Sequence, residues 1–355
     1  MKIVTCEQVS CGHPDKICDQ IADAIVTDCL KHDPTSRVAI ECLFKSDTLV
    51  IAGELTSKHE PDYISLVMET MEKIHKDPID FWNATHEVSV SILVDKQSPD
   101  IALGVDKGGA GDQGIMYGYA TNETEEMLPL PYVLATQFLK LLHNFPNDMF
   151  KADAKAQVSF DYDAGKITTF LCSVQHDKNV DVKDFQHIVE GLMVLVATAH
   201  DLNTDFKMLV NPTGRFVQGG PLADCGVTGR KLACDTYGGV GRMGGGAFSG
   251  KDPSKVDRSA AYMARKIARD IVKMGSAKKC EVQLAYAIGI REPIGVDVDC
   301  FGTEKVSISK IRNFIITHYD LTPKGIIEYL NLLKVDYNQV SSLGHFGKKG
   351  LPWEQ

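Results

Sequence analysis

The chain has 355 residues, of which 44% are hydrophobic and 24% charged, a composition typical of globular proteins. Its formal net charge of -9 argues against broad binding to nucleic acid, because the phosphates would be repelled, although it leaves room for a local basic pocket. No apolar run has the length of a membrane span and the N-terminus lacks a signal-peptide pattern, so we expect a cytoplasmic protein without a membrane partner.

The first hundred residues predict strands and two helices. Strands are predicted over residues 1–10, 37–45, 48–56 and 86–94, and helices over residues 14–31 and 61–76. Pro14 suits the first turn of the first helix. His13, Asp15 and Lys16 therefore lie at a helix N-terminus, where the N–H groups and the helix dipole favour phosphate. Capping alone also explains Asp15, and His13 as an ordinary loop residue is an equally open alternative.

Two acidic side chains lie on the neighbouring strands of this region. Glu41 belongs to the first strand of the pair and Glu54 lies near the end of the second. A single glutamate on a half-buried strand usually faces solvent. Two glutamates on adjacent strands favour, though only weakly, a shared polar pocket.

The middle of the chain begins with an irregular, glycine-rich segment over residues 95–114, which is typical of a hinge or lid. A plain connection between domains is the alternative. A helix is predicted over residues 131–143, and a β-hairpin has strands over residues 158–162 and 167–174 that turn at 163–165. A helix over residues 181–199 follows.

Polar, glycine-rich segments return in the last third of the chain. They place Arg215, Arg230 and Lys231 among turn residues, where such cations are usually solvated. Four segments of this kind in one chain favour a binding site. A helix over residues 259–272, strands over 281–290 and 295–300, and helices over 307–317 and 323–333 complete the predicted elements.

Residues 237–259 form the densest of these segments, with seven glycines ahead of a charged run. Glycine loops turn N–H groups toward an anion, and a following helix adds the positive end of its dipole. Two lysines, Lys251 and Lys255, and two aspartates, Asp252 and Asp257, then suit polyphosphate and a divalent metal. A flexible loop ahead of a solvated helix start is the alternative.

Two familiar motifs match this segment in part. Residues 239–244 fit the dinucleotide-binding fingerprint, but more glycines and a proline follow where its helix should begin. Residues 245–251 fit the spacing of a P-loop, but Asp252 stands where the metal-binding Ser or Thr belongs. Either match by itself is a weak indication.

Strands outnumber helices along the chain, and strand–strand–helix units recur in each third. This pattern predicts α+β domains with mixed or antiparallel sheets, and it is compatible with an internal triplication too weak in sequence to assert. The ten cysteines lack the paired spacings of a zinc site, and without a secretion signal we expect reduced thiols.

Nine short motifs follow one another in a fixed order along the chain. They occupy residues 12–16, 96–100, 109–114, 119–124, 211–216, 224–231, 244–259, 344–347 and 352–354. In this order, and over nearly the whole length, they resemble the motifs of the methionine adenosyltransferase family, also called S-adenosylmethionine synthetases. So many ordered motifs are specific to that family.

The resemblance implies a domain organisation. We expect three similar domains with helices on one face of each sheet in a pseudo-threefold arrangement, over residues 1–100, 101–217 and 218–355, with a chain that can weave between them. A lid loop of about residues 97–111 precedes the central domain. Many relatives carry several more residues between Val105 and Gly108, so this lid is short, which affects its closing motion and product release rather than the chemistry.

The resemblance also implies a reaction with ATP and L-methionine as substrates, placed in S-adenosylmethionine biosynthesis and one-carbon metabolism. The methionine sulfur attacks C5′ of ATP and expels the triphosphate, which is split to phosphate and diphosphate. The residues agree independently, because a thioether needs no side-chain nucleophile and the sequence has no Ser/His/Asp or Cys/His signature. Catalysis then depends on in-line orientation and on stabilising charge on the triphosphate.

Roles for single residues follow from the same resemblance. The residues implied as catalytic are His13, Lys155, Arg230 and Lys251. Those implied for ATP are His13, Asp112, Asp153, Ala154, Lys155, Arg215, Phe216, Asp224, Arg230, Lys231, Ala247 and Lys251. Those implied for methionine are Glu54, Gln97, Asp224 and Lys255. Asp15 and Asp257 are implied ligands of Mg²⁺, with two Mg²⁺ per site, and Glu41 of K⁺.

The family further implies a homodimer or homotetramer whose active sites are shared between subunits, which would account for Glu41 and Glu54. Two other functions stay open. A P-loop-like ATPase or kinase would use Lys251 to transfer the γ-phosphoryl group without methionine. A non-catalytic nucleotide-binding module would bind ATP without turnover and would not need both Asp15 and Asp257.

Overall fold

The computed structural model describes residues 2–75, 88–97, 108–146 and 148–355. Eleven strands in this part of the chain are β1 (Ile3–Val9), β2 (Arg37–Lys45), β3 (Thr48–Thr56), β4 (Ser89–Asp95), β5 (Gly114–Thr121), β6 (Phe150–Asp161), β7 (Lys166–His176), β8 (Lys207–Val210), β9 (Gly226–Val227), β10 (Lys279–Tyr286) and β11 (Gly295–Asp299). Eight α-helices in the same ranges are α1 (Pro14–His32), α2 (Tyr63–Ile74), α3 (Leu130–Asn144), α4 (Val182–Ala199), α5 (Leu232–Asp235), α6 (Val256–Lys273), α7 (Ile308–His318) and α8 (Pro323–Tyr329).

The predicted α+β class with mixed and antiparallel sheets is confirmed. The described strands form sheets with the orders β1-β6-β7-β8, β11-β10-β5 and β4-β3-β2-β9. Neighbours are antiparallel except for the parallel pairs β7–β8 and β3–β4. Mixed sheets arise because β4 and β8 each return beside a strand after a helix-containing connection.

Several predicted bounds were wrong. β6 begins at Phe150 rather than at 158, because its polar residues also pair with β1 and β7. β10 ends at Tyr286 rather than at 290, and α6 begins at Val256 rather than at 259. β5 and β8 were not predicted, because β5 starts in a glycine-rich segment and β8 has only four residues. The end of the predicted helix over 61–76, the start of the strand over 86–94 and most of the lid loop, with its short stretch 105–108, lie outside the described residues.

Helices cover one face of each sheet and bury its alternating apolar residues. Helices α3 and α4 pack over the sheet of β6, where Phe138, Val158, Phe170 and Val189 are fully buried. Helix α1 covers β2, and α6 covers β5 and β10. The contact of α6 with β5 is so close that a Cβ on Gly118 would lie 1.9 Å from the Ala264 carbonyl carbon.

Each sheet combines strands from two distant stretches of the chain. β1 joins β6–β8, β5 joins β10 and β11, and β9 joins β2–β4. Because each sheet pairs strands from distant parts of the chain, the segments beside α1 and α6 lie together although they are more than two hundred residues apart in sequence. The ten cysteines are free thiols, and nine of them are buried. Among the described helices, none combines the length and the apolar character needed to cross a lipid bilayer.

Candidate active site

His13 caps the N-terminus of α1, as the position of Pro14 predicted. Its Nδ1 atom accepts the backbone N–H of Asp15 at 3.2 Å, so the proton of the neutral ring lies on Nε2. The ring is 1% exposed, and Nε2 has no hydrogen-bond partner among the described residues. Burial, followed by the positive charges of Lys231 and Lys155, lowers the pKa of His13 to about 3. The site therefore contains a neutral, unpartnered N–H donor at neutral pH.

The loop before His13 is fixed to strand β6. Ser10 Oγ donates to the Ala152 carbonyl at 2.6 Å and accepts the Ala154 N–H at 2.8 Å. Gly12 packs directly on the same strand, since a Cβ there would lie 2.4 Å from the Ala152 Cβ. Only glycine fits this contact, which sets the position of the histidine ring.

Asp15 brings the segment 226–231 to the helix N-terminus. Its carboxylate accepts the Val227 N–H at 2.8 Å and the Lys231 ammonium at 2.6 Å, and Arg230 Nε lies 3.8 Å away. Burial raises the pKa of Asp15, but the bonds from Lys231 and Val227 outweigh it, so the pKa stays below its ordinary 3.8. An ionised carboxylate and two cations are thus held beside His13.

Helix α1 carries two further aspartates that the sequence analysis did not single out. Asp19 Oδ1 accepts the Gly229 N–H at 2.8 Å, and Asp23 Oδ1 accepts the Gly250 N–H at 3.0 Å. Both side chains are fully buried and lie one and two helical turns beyond Asp15. The spacing of four residues on an otherwise apolar face was the available signal, because buried carboxylates require donors.

A layer of buried charge lies behind these contacts. The Lys16 ammonium donates to Asp19 at 2.8 Å and also bonds Asp235, while Arg258 donates to both oxygens of Asp23 at 2.6 and 2.7 Å. Burial favours the neutral amine, yet Asp19 and Asp235 reverse this effect and raise the pKa of Lys16. These pairs connect α1 to the segments that carry the site.

Strand β6 supplies the residues predicted around the nucleotide. Asp153 Oδ2 accepts the Gly220 N–H at 2.8 Å, and its Oδ1 atom is buried without a partner in the described structure. Burial raises the pKa of Asp153 from 3.8 to about 6. Ala154 is buried, whereas Lys155 is exposed and its positive charge lowers the pKa of His13. Asp224 is exposed, and its N–H donates to the Gly220 carbonyl at 2.8 Å.

A second charged group lies at the start of α6. The Lys251 ammonium donates to Asp257 at 2.6 Å, and Asp257 belongs to the first helical turn. Gly246 lies against this carboxylate so closely that a Cβ there would be 2.1 Å from Cγ of Asp257. The glycines of the segment therefore give its backbone access to the charged group.

The suggestion that Asp252 holds a metal is wrong. Its carboxylate is 1% exposed and accepts the N–H groups of Val38 at 2.7 Å and Ser254 at 2.9 Å. It also accepts the ammonium of Lys255 at 2.5 Å. These donors fill the carboxylate, so Asp252 fastens the segment to β2, and Lys255 is directed toward it.

The other predicted residues lie around these two groups. Ala247 lies against the 226–231 segment, because a Cβ added to Gly229 would lie 2.4 Å from the Cβ of Ala247. Glu41 and Glu54 project from the open face of the β2–β3 pair, opposite the face covered by α1. Within the described ranges, no hydrogen bond or ion pair joins either glutamate to His13.

Three more contacts involve the remaining residues. The Gln97 N–H donates to Thr56 Oγ1 at 3.2 Å, and exposed Asp112 accepts the Gln113 N–H at 2.7 Å. The Phe216 N–H donates to a ring nitrogen of His176 at 3.1 Å, and Arg215 beside it is exposed.

A neutral donor, carboxylates and lysines therefore lie on glycine-rich segments at two helix N-termini. Such a site belongs to proteins that bind a polyphosphate together with cations. Family models agree with this class and specify it. S-adenosylmethionine synthetase models for the N-terminal, central and C-terminal domains match residues 1–99, 107–216 and 218–355. The chain belongs to the S-adenosylmethionine synthetase family.

Individual relatives resemble the chain over its full length. S-adenosylmethionine synthases of Mycoplasma capricolum and Mycoplasma mycoides are each 45% identical over 369 aligned positions, which cover 100% of this chain and 95% of theirs. A solved S-adenosylmethionine synthetase from Campylobacter jejuni is 36% identical, with a TM-score of 0.91 and coverage of 100% and 97%. The predicted methionine adenosyltransferase activity on ATP and methionine is confirmed by this membership, and the kinase and non-catalytic alternatives are set aside.

Proposed function

We propose that the chain joins L-methionine to ATP by an in-line displacement. The methionine sulfur forms a bond to C5′ while the bond from C5′ to the triphosphate oxygen breaks, and the electron pair leaves with that oxygen. Water then splits the triphosphate into phosphate and diphosphate. The observation that carries this proposal is the Nε2–H of His13, which is buried, neutral and unpartnered among the described residues.

A neutral donor suits the leaving oxygen. Negative charge grows on this oxygen in the transition state, and a preorganised N–H in a site with little water stabilises it. The low pKa of His13 keeps the ring neutral at neutral pH, so Nε2–H donates without adding a positive charge to the site. Lys155 and Lys231 lie close enough to perturb that pKa, and they are placed to share the charge of the triphosphate.

The remaining assignments follow from the resemblance to the family. We infer that Arg230 and Lys251 also contact the phosphates. We assign to the nucleotide pocket Asp112, Asp153, Ala154, Arg215, Phe216, Asp224 and Ala247, and to methionine Glu54, Gln97, Asp224 and Lys255. Asp153 supports this assignment, because its free Oδ1 atom is buried in a position that requires a donor from outside the described residues.

The family requires a divalent metal and K⁺, and the carboxylates beside His13 and Lys251 fit the divalent metal. Asp15 and Asp257 each hold a lysine ammonium at 2.6 Å, so both carboxylates already bind a positive group. Carboxylate oxygens are the ligands that Mg²⁺ prefers. We propose that Asp15 and Asp257 hold two Mg²⁺ ions per site and that Glu41 holds K⁺. When bound, the Mg²⁺ ions would supply positive charge to the triphosphate.

We infer that the working protein is a cytoplasmic homodimer or homotetramer. Glu41 and Glu54 lie on an open sheet face with Ala39 and Ala52, and Leu93 on this sheet is 64% exposed. Small and apolar residues beside carboxylates suit packing against a second copy that completes the site. The division into domains 1–100, 101–217 and 218–355 stays our proposal, supported by the three matched segments.

One incubation tests the reaction. The protein is mixed with methionine, Mg²⁺, K⁺ and ATP bearing a single deuterium of known configuration at C5′, and the products are resolved. Formation of S-adenosylmethionine, phosphate and diphosphate with inversion at C5′ is expected. Absence of S-adenosylmethionine would overturn the activity, and retention at C5′ would overturn the in-line mechanism. His187→Ala, which removes an exposed histidine of α4, is the matched control for substitutions at His13.

A further inference from the structure

Asp28, His32 and His59 form a cluster of metal-ligand side chains far from the proposed active site. One nitrogen of each imidazole and one carboxylate oxygen all lie within 4.8 Å of one another. Asp28 and His32 belong to the last turns of α1, whereas Asp15 lies in its first turn. Thirteen residues of helix separate Asp28 from Asp15, which corresponds to about 20 Å. The cluster is therefore independent of the residues assigned to ATP.

The side chains already converge on one carboxylate. His59 Nε2 lies 2.6 Å from Asp28 Oδ2, and His32 Nδ1 lies 3.2 Å from Asp28 Oδ1. The two imidazole rings stack with centroids 4.2 Å apart and an angle of 25° between planes. His32 Nδ1 also lies 2.9 Å from the backbone carbonyl oxygen of Asp28, so a hydrogen bond to this carbonyl would have to open before Nδ1 could bind an ion.

The backbone positions of the cluster are fixed by contacts outside it. Asp28 and His32 are four residues apart, so they share one face of α1. The segment that carries His59 is held to the end of the same helix, because the Lys58 N–H donates to Asp33 Oδ2 at 2.9 Å. Ser57 Oγ also accepts the His59 N–H at 3.0 Å. The three ligands therefore come from elements that are already docked.

Only small side-chain movements separate this arrangement from a metal site. Tetrahedral Zn²⁺ with bonds of 2.0–2.1 Å places its ligand atoms about 3.3 Å apart. His59 Nε2 and Asp28 Oδ2 would have to separate from 2.6 Å by less than one ångström, with loss of the shared proton. The side chain of His32 is 48% exposed and that of Asp28 21% exposed, so both reach solvent, from which an ion can approach.

We propose that Asp28, His32 and His59 bind a divalent transition-metal ion, of which Zn²⁺ fits best, and that water takes the remaining position. Two imidazoles and one carboxylate form a donor set that Zn²⁺, Co²⁺ and Ni²⁺ prefer and that Mg²⁺ does not. The ion would not compete with Mg²⁺ at the proposed active site. It would clip the end of α1 to the segment that leads into α2 and stabilise the folded chain in proportion to its occupancy.

The test uses Co²⁺ and Zn²⁺ on the full chain, stripped with a chelator and then saturated with Mg²⁺ to occupy the active-site carboxylates. One Co²⁺ per chain is expected, with visible absorption bands of nitrogen and oxygen ligands and without thiolate charge-transfer bands. Zn²⁺ should displace this Co²⁺ and raise the thermal midpoint by a few degrees. His59→Asn and His32→Ala should each weaken binding by more than about tenfold.

Matched variants make the result specific. His187→Ala removes an exposed histidine from α4 and should bind Co²⁺ as the unaltered chain does. His59→Asn retains a donor for Asp28. The thermal midpoints of His59→Asn and His32→Ala without metal show whether each variant still folds, so weaker Co²⁺ binding by a folded variant reports the loss of a ligand. Absence of stoichiometric Co²⁺ binding would overturn the proposal and leave a hydrogen-bonded pair with a stacked ring. If both histidine variants bound Co²⁺ with the affinity of the unaltered chain, the ion would lie elsewhere, and this result would also overturn the proposal.

Discussion

Replacement of Asp153 by asparagine should make the protein more stable at neutral pH and above. Burial raises the pKa of this carboxyl from 3.8 to about 6, so the folded chain favours its protonated form. A shift of this size corresponds to about 3 kcal/mol at 1.36 kcal/mol per pKa unit. The unaltered protein therefore loses about 3 kcal/mol of stability from this group as pH rises from below 4 to above 6.

The amide of Asp153→Asn carries no charge to bury and keeps an oxygen that can accept the Gly220 N–H. At pH 4 the two proteins should have similar stability, and above pH 7 the variant should be more stable by up to about 3 kcal/mol. At about 2.1 cal/mol/K per residue, this chain has an unfolding entropy of about 0.75 kcal/mol/K, so the thermal midpoint should rise by about 4 °C.

Thermal and denaturant unfolding between pH 4 and pH 8 measure this difference. Asp148→Asn is the control, because it removes an exposed carboxylate. A stability difference between Asp153→Asn and the unaltered chain that does not change with pH would refute the reasoning. It would mean that the Asp153 carboxylate is solvated or paired in the folded protein.

Three further substitutions test other parts of the site. His13→Ala should lower kcat by about 100-fold or more, because it removes the donor to the leaving oxygen, and a change in KM alone would contradict that role. Since the pKa of His13 is about 3, its neutral form prevails above pH 4 and the histidine should add no step to the pH profile of kcat between pH 5 and 9. Asp257→Asn should lower kcat by more than about 100-fold with an unchanged circular dichroism spectrum, and a near-normal rate at saturating Mg²⁺ would exclude a metal-binding role. Arg258→Met leaves the buried Asp23 carboxylate without the guanidinium that donates to both of its oxygens, which should cost about 3–5 kcal/mol and about 4–7 °C in thermal midpoint. Recovery of most of that loss is expected when Asp23→Leu is added, and an unchanged midpoint in the single variant would argue against the pair.

The local part of the site could be predicted from the sequence. Pro14 and the apolar residues of α1 predicted a helix start at His13, and the N-cap geometry of the structure confirms it. Apolar residues alternate along β2 and mark its buried face, which leaves Glu41 on the open one. Such features depend on side-chain periodicity within one element, which the order of residues records directly. The pairing of Glu54 with Ala39, which puts Glu54 on the same face, came from the structure.

The roles of the buried acids depended on contacts that no local pattern records. Asp252 and Asp257 are equivalent in composition and lie five residues apart, yet one accepts the Val38 N–H in the interior and the other meets Lys251 at the surface. Asp19 and Asp23 were overlooked because their donors, Gly229 and Gly250, are more than two hundred residues away.

The sequence by itself determined the family, the helix that presents His13 and the glycine-rich segments that surround it. The tertiary structure decided which charges belong to the site and which support it. β9 pairs with β2, and this crossing carries Val227 and Gly229 to the aspartates of α1. A buried carboxylate needs hydrogen-bond donors, and here the donors come from segments that are distant in sequence. Which segments lie beside it depends on how whole sheets pair and pack, and not on the residues next to it in the chain.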